Sequence, residues 1–218
     1  RGPERIGPVS FEVDGIHAKL EFLNPSGSIK ARIARYMIER AEETGLLKPG
    51  GTIVEATSGN TGNALAMVAA VKGYRMVVVM PEGLSSERVA ISRAYGAQVV
   101  FCGRFHVNAA LARAKELGRQ AGWFCPRQFE SEWNVDENRL VLGPEILAQL
   151  DGRLPDALVA GVGTGGTLIG IGQAFRAANP AVRLFAMEPS ESQTLRCGEI
   201  AMHRIEGISD GFVPGIFQ

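Results

Sequence analysis

An excess of charge of either sign is missing from this chain. It carries 23 lysines and arginines against 23 aspartates and glutamates. A balanced chain exerts no general pull on nucleic acid or on an anionic membrane. The expected partners are therefore small molecules or other proteins. Cysteine is scarce. Cys102, Cys125 and Cys197 are scattered and odd in number, with no CxxC pair and no Cys/His cluster at zinc spacing. That argues against a disulfide framework and fits free thiols in a reducing compartment. No apolar run approaches membrane-spanning length, and the N-terminus lacks a signal-peptide pattern, so the cytoplasm is the expected location. Repeats, low-complexity tracts and long linkers are also absent. The first residue is Arg1, so residues of the gene product are expected to precede it.

Apolar residues, 45% of the 218, are enough for a core. The length allows one large domain or two small interleaved ones. The middle of the chain alternates between strand and helix patterns. Residues 52–56 are a short β-type run, followed by a polar turn and the helix formers of 63–70, which Gly73 ends. The continuous apolar run 76–80, closed by Pro81, predicts a strand buried on both faces of a parallel sheet. Ser85 and Ser86 are candidate caps for a helix reaching about Tyr95. A strand follows at 98–102 and a helix at 108–121. Residues 157–160 read as another buried strand. A Gly-rich turn then opens a helix ending near Ala178, and 184–187 is the next strand. Such alternation predicts a mostly parallel sheet with helices on both faces and ligands at the carboxyl ends of strands.

Three segments carry candidate chemistry. Gly163-Thr164-Gly165-Gly166-Thr167 lies between a strand and a helix. Free N–H groups at a helix start, with glycines allowing close approach, suit a phosphate. It is neither a Walker loop nor a complete GxGxxG fingerprint, and a plain β–α turn reads equally well. Thr57-Ser58-Gly59-Asn60-Thr61-Gly62 also joins a strand to a helix. A cap needs one polar residue, and this turn has four, which favours a carboxylate ligand over capping alone. Asn24 to Lys30 is a turn-rich lead into a helix containing Ile33, Tyr36, Met37 and Ile38. A lysine at a helix start opposes the dipole, so local helix physics does not explain Lys30. Schiff-base chemistry requires a buried lysine of lowered pKa, but most lysines are solvated.

In their order and spacing, these three segments resemble the cysteine synthase family of fold type II pyridoxal-phosphate enzymes. Supporting stretches are Ala18-Lys19-Leu20-Glu21, Met80-Pro81-Glu82, Gln128-Phe129, Gly143-Pro144-Glu145-Ile146 and Gly207-Ile208-Ser209-Asp210-Gly211. The resemblance implies an α/β protein of two interleaved open-sheet lobes in the tryptophan synthase beta-like architecture. One lobe would span 31–139, and the other 1–30 plus 140–218. It implies pyridoxal 5'-phosphate as cofactor and Lys30 as the Schiff-base lysine that shuttles the substrate's α-proton. Asn60 would bond the ring hydroxyl, and Gly163, Thr164, Gly165, Gly166 and Thr167 would hold the phosphate. Thr57, Ser58, Thr61 and Gln128 would bind the substrate carboxylate. Gly207, Ile208 and Ser209 would line the entrance.

The activity so implied is β-replacement on an O-activated serine by a small nucleophile, foremost cysteine synthesis from O-acetylserine or O-phosphoserine and sulfide, by a homodimer. β-Elimination, cystathionine or 2,3-diaminopropionate synthesis on the same scaffold, and a non-catalytic binding protein, are the alternatives. The chain departs from the family at Ala31-Arg32, where Asp-Arg is common, at Val141-Leu142, where polar residues are usual, and at Pro8-Val9. Family members also continue beyond Gln218, where they supply the sheet's remainder and a serine for the pyridine nitrogen. His17, His106 and His203 show no metal spacing, Ser58 has no nucleophile-elbow context, and no metal site is expected. Trp123 and Trp133 read as packing residues.

Overall fold

The computed structural model describes residues 10–57, 59–83, 86–104 and 107–217. It begins with an antiparallel hairpin, β1 (Ser10–Val13) and β2 (Ile16–Lys19). Asp14 and Gly15 turn it with φ of 51° and 77°. Paired left-handed residues match the twist of a two-residue hairpin. A 3-10 turn at Glu21–Leu23 leads into α1 (Lys30–Glu43). Its buried residues Ile33, Ala34, Met37, Ile38 and Ala41 recur at helical spacing and form one apolar stripe.

Strand–helix alternation then builds the main sheet. In chain order come β3 (Thr52–Ala56), α2 (Asn60–Lys72), β4 (Arg75–Glu82), α3 (Ser86–Ala94), β5 (Gln98–Arg104), α4 (Asn108–Leu117) and β6 (Trp123–Phe124). The four strands are parallel, in the order β5-β4-β3-β6. Side chains alternate between its two faces. Ile53, Met76, Val78 and Met80 pack under α1 and α2, while Val54, Ala56, Val77 and Val79 pack against α4. Gly73, at φ 77°, ends α2 where the sequence expects. Pro81 does not close its strand. β4 runs on to Glu82, with a register shift between Met80 and Glu82, because a bulge tolerates a residue that lacks an N–H. α4 stops at Leu117, short of the expected 121. Gly118 there backs closely onto Cys125. The expected cap Ser85 lies outside the described residues.

The remainder is built differently. α5 (Glu132–Glu137), a π-helical stretch at Asn138–Leu142 and α6 (Gly143–Gln149) form one continuous rod. Then come β7 (Ala157–Gly161), α7 (Gly166–Ala178), β8 (Arg183–Met187) and the single turn α8 (Thr194–Cys197). β7 and β8 pair in parallel as a two-stranded sheet. A third core, Leu142, Ile171, Phe175 and Val182, joins the rod to α7. Glycine sets that approach. A Cβ on Gly170 would lie 2.4 Å from the Val135 carbonyl oxygen, so only glycine lets α7 come so close to the rod. Within the described residues, Val159 of β7 is 66% exposed. The chain is α/β with a parallel sheet, as its patterning predicts.

Candidate active site

The two Gly-rich turns sit where parallel strands meet helices, after β3 and after β7. Lys30 is the first residue of α1, and its N–H donates to Ser28 Oγ at 3.2 Å. Burial pushes the Lys30 amine below its ordinary value, and the nearby negative charge of Asp210 pulls it back up in part. Burial likewise raises Asp210, while Lys30, His203 and Arg88 lower it. A lysine with a depressed pKa offers a larger fraction of neutral, nucleophilic amine.

The loop around Asp210 closes on the turn after β7. A Cβ on Gly163 would fall 2.5 Å from Gly207 O and 3.7 Å from Asp210 Oδ2. One on Gly207, whose φ is 90°, would lie 3.9 Å from Asn60 Nδ2, at the start of α2. These contacts bring together the 30, 60, 163 and 207–210 segments, which are far apart in sequence. Gly165, at φ 88°, caps the 13-residue helix α7 from the left-handed region, and the Gly166 N–H donates to Thr164 Oγ1 at 3.4 Å. Gly166 is the first helical residue; Thr167, the next, is half-buried.

A second chain of contacts links the turns through buried polar side chains. Thr61 donates its hydroxyl to Gln128 Oε1 at 2.5 Å, and Gln128 Nε2 donates to Ala56 O at 3.2 Å. Asn134 Nδ2 donates to Gln128 O at 2.8 Å and to Thr164 Oγ1 at 2.9 Å. The 57–62 turn and the 163–167 turn are thus braced against each other. Thr57 Oγ1 accepts from the Gly59 N–H at 3.0 Å. Ser58 lies outside the described residues. The Ser209 hydroxyl turns away toward Ser192, donating to its carbonyl oxygen at 3.0 Å. Ser209 N donates to Val162 O at 2.9 Å, and Ile208 packs over Gly161.

Sequence reasoning missed Asp210 and Asn134. Asp210 stood inside a quoted stretch, and an acid beside two glycines near a candidate lysine was the available signal. Asn134 offered none, because only the fold carries α5 to Thr164. Three further stretches acquire a shared explanation. Lys19 pairs with Glu145 at 2.6 Å, and Arg32 bonds both Glu21, at 2.6 Å, and Glu145, at 2.8 Å. Burial raises Glu145, but hydrogen bonds from Arg32 and Lys19 outweigh it and hold the carboxyl at about 2. The network fastens the start of α1, and hence Lys30, to α6. His203 accepts from Ile205 N at Nδ1, so its Nε2 donates to Ser209 O at 3.1 Å and braces the 203–209 loop. Among the described residues, no group of three or more His, Cys, Asp or Glu could hold a metal, and no helix is long and apolar enough to cross a membrane.

Comparison with known proteins shows the family. The chain is 48% identical over 201 residues to a cysteine synthase of Staphylococcus aureus (strain Mu50 / ATCC 700699), covering 92% of this chain and 65% of that protein. It is 46% identical over 215 residues to the O-ureido-L-serine synthase of Streptomyces lavendulae, covering 98% and 66%. The chain thus spans about two-thirds of the length of these relatives. The crystal structure of the O-acetylserine dependent cystathionine beta-synthase from Helicobacter pylori superposes with a TM-score of 0.91 at 37% identity, covering 97% of this chain and 72% of that one. The family model described as "Pyridoxal-phosphate dependent enzyme" matches residues 7–218. The chain belongs to the pyridoxal-phosphate dependent enzymes, among the cysteine synthase-like members of fold type II.

Proposed function

We propose that the full-length protein catalyses β-replacement on an O-activated serine, with cysteine formation from O-acetylserine or O-phosphoserine and sulfide as the foremost reaction. The observation that carries this reading is Lys30, an amine whose charge burial disfavours, placed where the segments of both Gly-rich turns converge. The residues fit pyridoxal phosphate. A cradle that a Cβ would obstruct lies at Gly163, and a long helix starts beside it.

When bound, the cofactor supplies the electron sink that loss of the α-proton needs. Lys30 would hold it covalently and, once displaced by the substrate amine, take the α-proton at Nζ. Asp210 would stabilise the ammonium that results. Gly163, Thr164, Gly165, Gly166 and Thr167 would bind the phosphate, and Asn60 the ring hydroxyl. Thr57, Ser58, Thr61 and Gln128 would hold the substrate carboxylate, with Gly207, Ile208 and Ser209 along the entrance. Two interleaved lobes, 31–139 and 1–30 plus 140–218, would then flank the cofactor, and the assembly would be a homodimer.

The relatives' names support a variable product, because they include a cysteine synthase and an O-ureido-L-serine synthase, and an activated-serine substrate, because the Helicobacter pylori structure is of an O-acetylserine dependent enzyme. The latter match spans 215 residues and keeps a non-sulfur nucleophile as a second reading. The test is to give the full-length, cofactor-loaded protein O-acetylserine or O-phosphoserine and then sulfide. Cysteine should form only with both reactants present. Consumption of neither activated serine would refute the reading.

A further inference from the structure

Among the strands of the main sheet, β3 contains an unusual residue. Ile53, Val54 and Ala56 are wholly buried, and Glu55 between them is buried as well. A carboxyl group at such a position loses most of its hydration, and nothing in the strand's packing requires it. Burial raises Glu55 to about 7, while backbone N–H groups of Gln128, Ala56 and Arg127 pull it down. Glu55 Oε1 accepts from Ala56 N at 2.9 Å, and Oε2 accepts from Gln128 N at 3.1 Å. One oxygen thus grips its own strand, and the other grips a segment 73 residues away.

That segment needs holding. Arg127, just before Gln128, sits at φ 54°, a left-handed conformation that a long side chain disfavours. The strained residue aims the Gln128 N–H at Glu55. It thereby sets the Gln128 side chain between Thr61 and the Ala56 carbonyl. Behind the carboxyl lies a cavity of about 240 Å³, lined by Leu111, Cys125, Phe129 and Phe212 among others. Lys115 and Arg127 also line it, each paired with Glu130 and neither paired with Glu55. No ion pair therefore accounts for this buried acid among the described residues. Its bonded partners are the backbone amides of Ala56, at the end of β3, and of Gln128.

We propose that Glu55 is a positioning residue of the substrate-carboxylate site, holding the Gln128 backbone against the end of β3 so that the Gln128 amide meets Thr61. The proposal rests on the carboxylate-binding part of the function proposed above. It concerns a residue that would touch neither substrate nor cofactor and would act through Gln128.

The test compares full-length holoenzyme with its Glu55→Gln variant, which keeps the shape but loses one carboxylate acceptor. KM for the activated serine should rise about tenfold with kcat changed less than about twofold, as expected for losing a charge-assisted bond that orients a binding group. Cofactor content should be unchanged. Amide hydrogen exchange of the segment containing Gln128 should accelerate about tenfold or more, with that of β3 and β4 unaltered. Unchanged KM overturns the proposal, as does a fall in kcat together with loss of cofactor, which would mark a general structural role. If the parent enzyme consumes no activated serine, the function proposed above fails on its own account. Glu55 is then judged by exchange alone, with acceleration at Gln128 supporting the grip and equal rates overturning it. Should Glu55→Gln not fold, Glu55→Asp, which withdraws the charge by one methylene, is read by the same measures.

Discussion

The two parallel sheets of this chain carry comparable turns on unequal foundations. The four-stranded sheet holds the 57–62 turn, and its central strands β3 and β4 are buried on both faces. The two-stranded sheet holds the 163–167 turn, and Phe185 and Met187 of β8 are each 47% exposed. Stability in the first comes from apolar side chains on two faces. In the second it comes from close approach of helices over glycines, with Gly143, Gly170 and Gly172 all backed by neighbouring atoms under 3 Å from where a Cβ would sit.

The comparison breaks most directly at matched positions. Ile53, fully buried in β3, should cost about 4 kcal/mol when truncated to alanine, by lost burial plus the cavity left behind. Val159, 66% exposed in β7, should stay within about 0.5 kcal/mol on the same change. Denaturant unfolding of both variants gives the answer, and equal costs would erase the contrast.

Two buried glutamates sharpen it further. Burial raises both Glu55 and Glu137 to about 7 from an ordinary 4.5. Glu55 receives backbone donors, whereas Glu137 Oε2 has no hydrogen-bond partner among the described residues. Arg32 lowers Glu137, and Glu21 and Glu145 raise it. A folded-state value above the unfolded one means the folded state holds the proton more tightly. Glu137's contribution is therefore fully present below about pH 4.5 and lost as pH rises through about 7. Glu137→Gln does not ionise. Relative to the parent, its unfolding free energy should shift in its favour by about 3 kcal/mol between pH 4.5 and pH 8. Urea unfolding at the two pH values measures this. No relative shift would mean that Glu137 titrates normally in the folded chain.

The same contrast explains what could be read in the sequence. The main sheet was legible because strands buried on both faces leave continuous apolar runs, as at Met76 to Met80. The second sheet was legible only as strands. Its open face is invisible in a run such as Ala157 to Ala160, because nothing local tells covered from uncovered. The hairpin turn Asp14-Gly15 carried a readable signal that went unused. The π-helical stretch at Asn138–Leu142 did not, since no residue type there marks it. In the candidate site, both Gly-rich turns and Lys30 stood out by residue type. Asn134 and Glu55 did not, because an asparagine or a glutamate becomes informative only once burial and partners are known.

The central claim is that Lys30 carries the cofactor, and borohydride reduction of the full-length protein loaded with pyridoxal phosphate tests it most directly. Reduction fixes the group to its lysine, and peptide mapping then chooses among the five lysines of this chain, Lys19, Lys30, Lys48, Lys72 and Lys115, and any outside it. The account predicts label on Lys30, and no label in Lys30→Ala. Label on any other lysine, or label that survives the substitution, would contradict it.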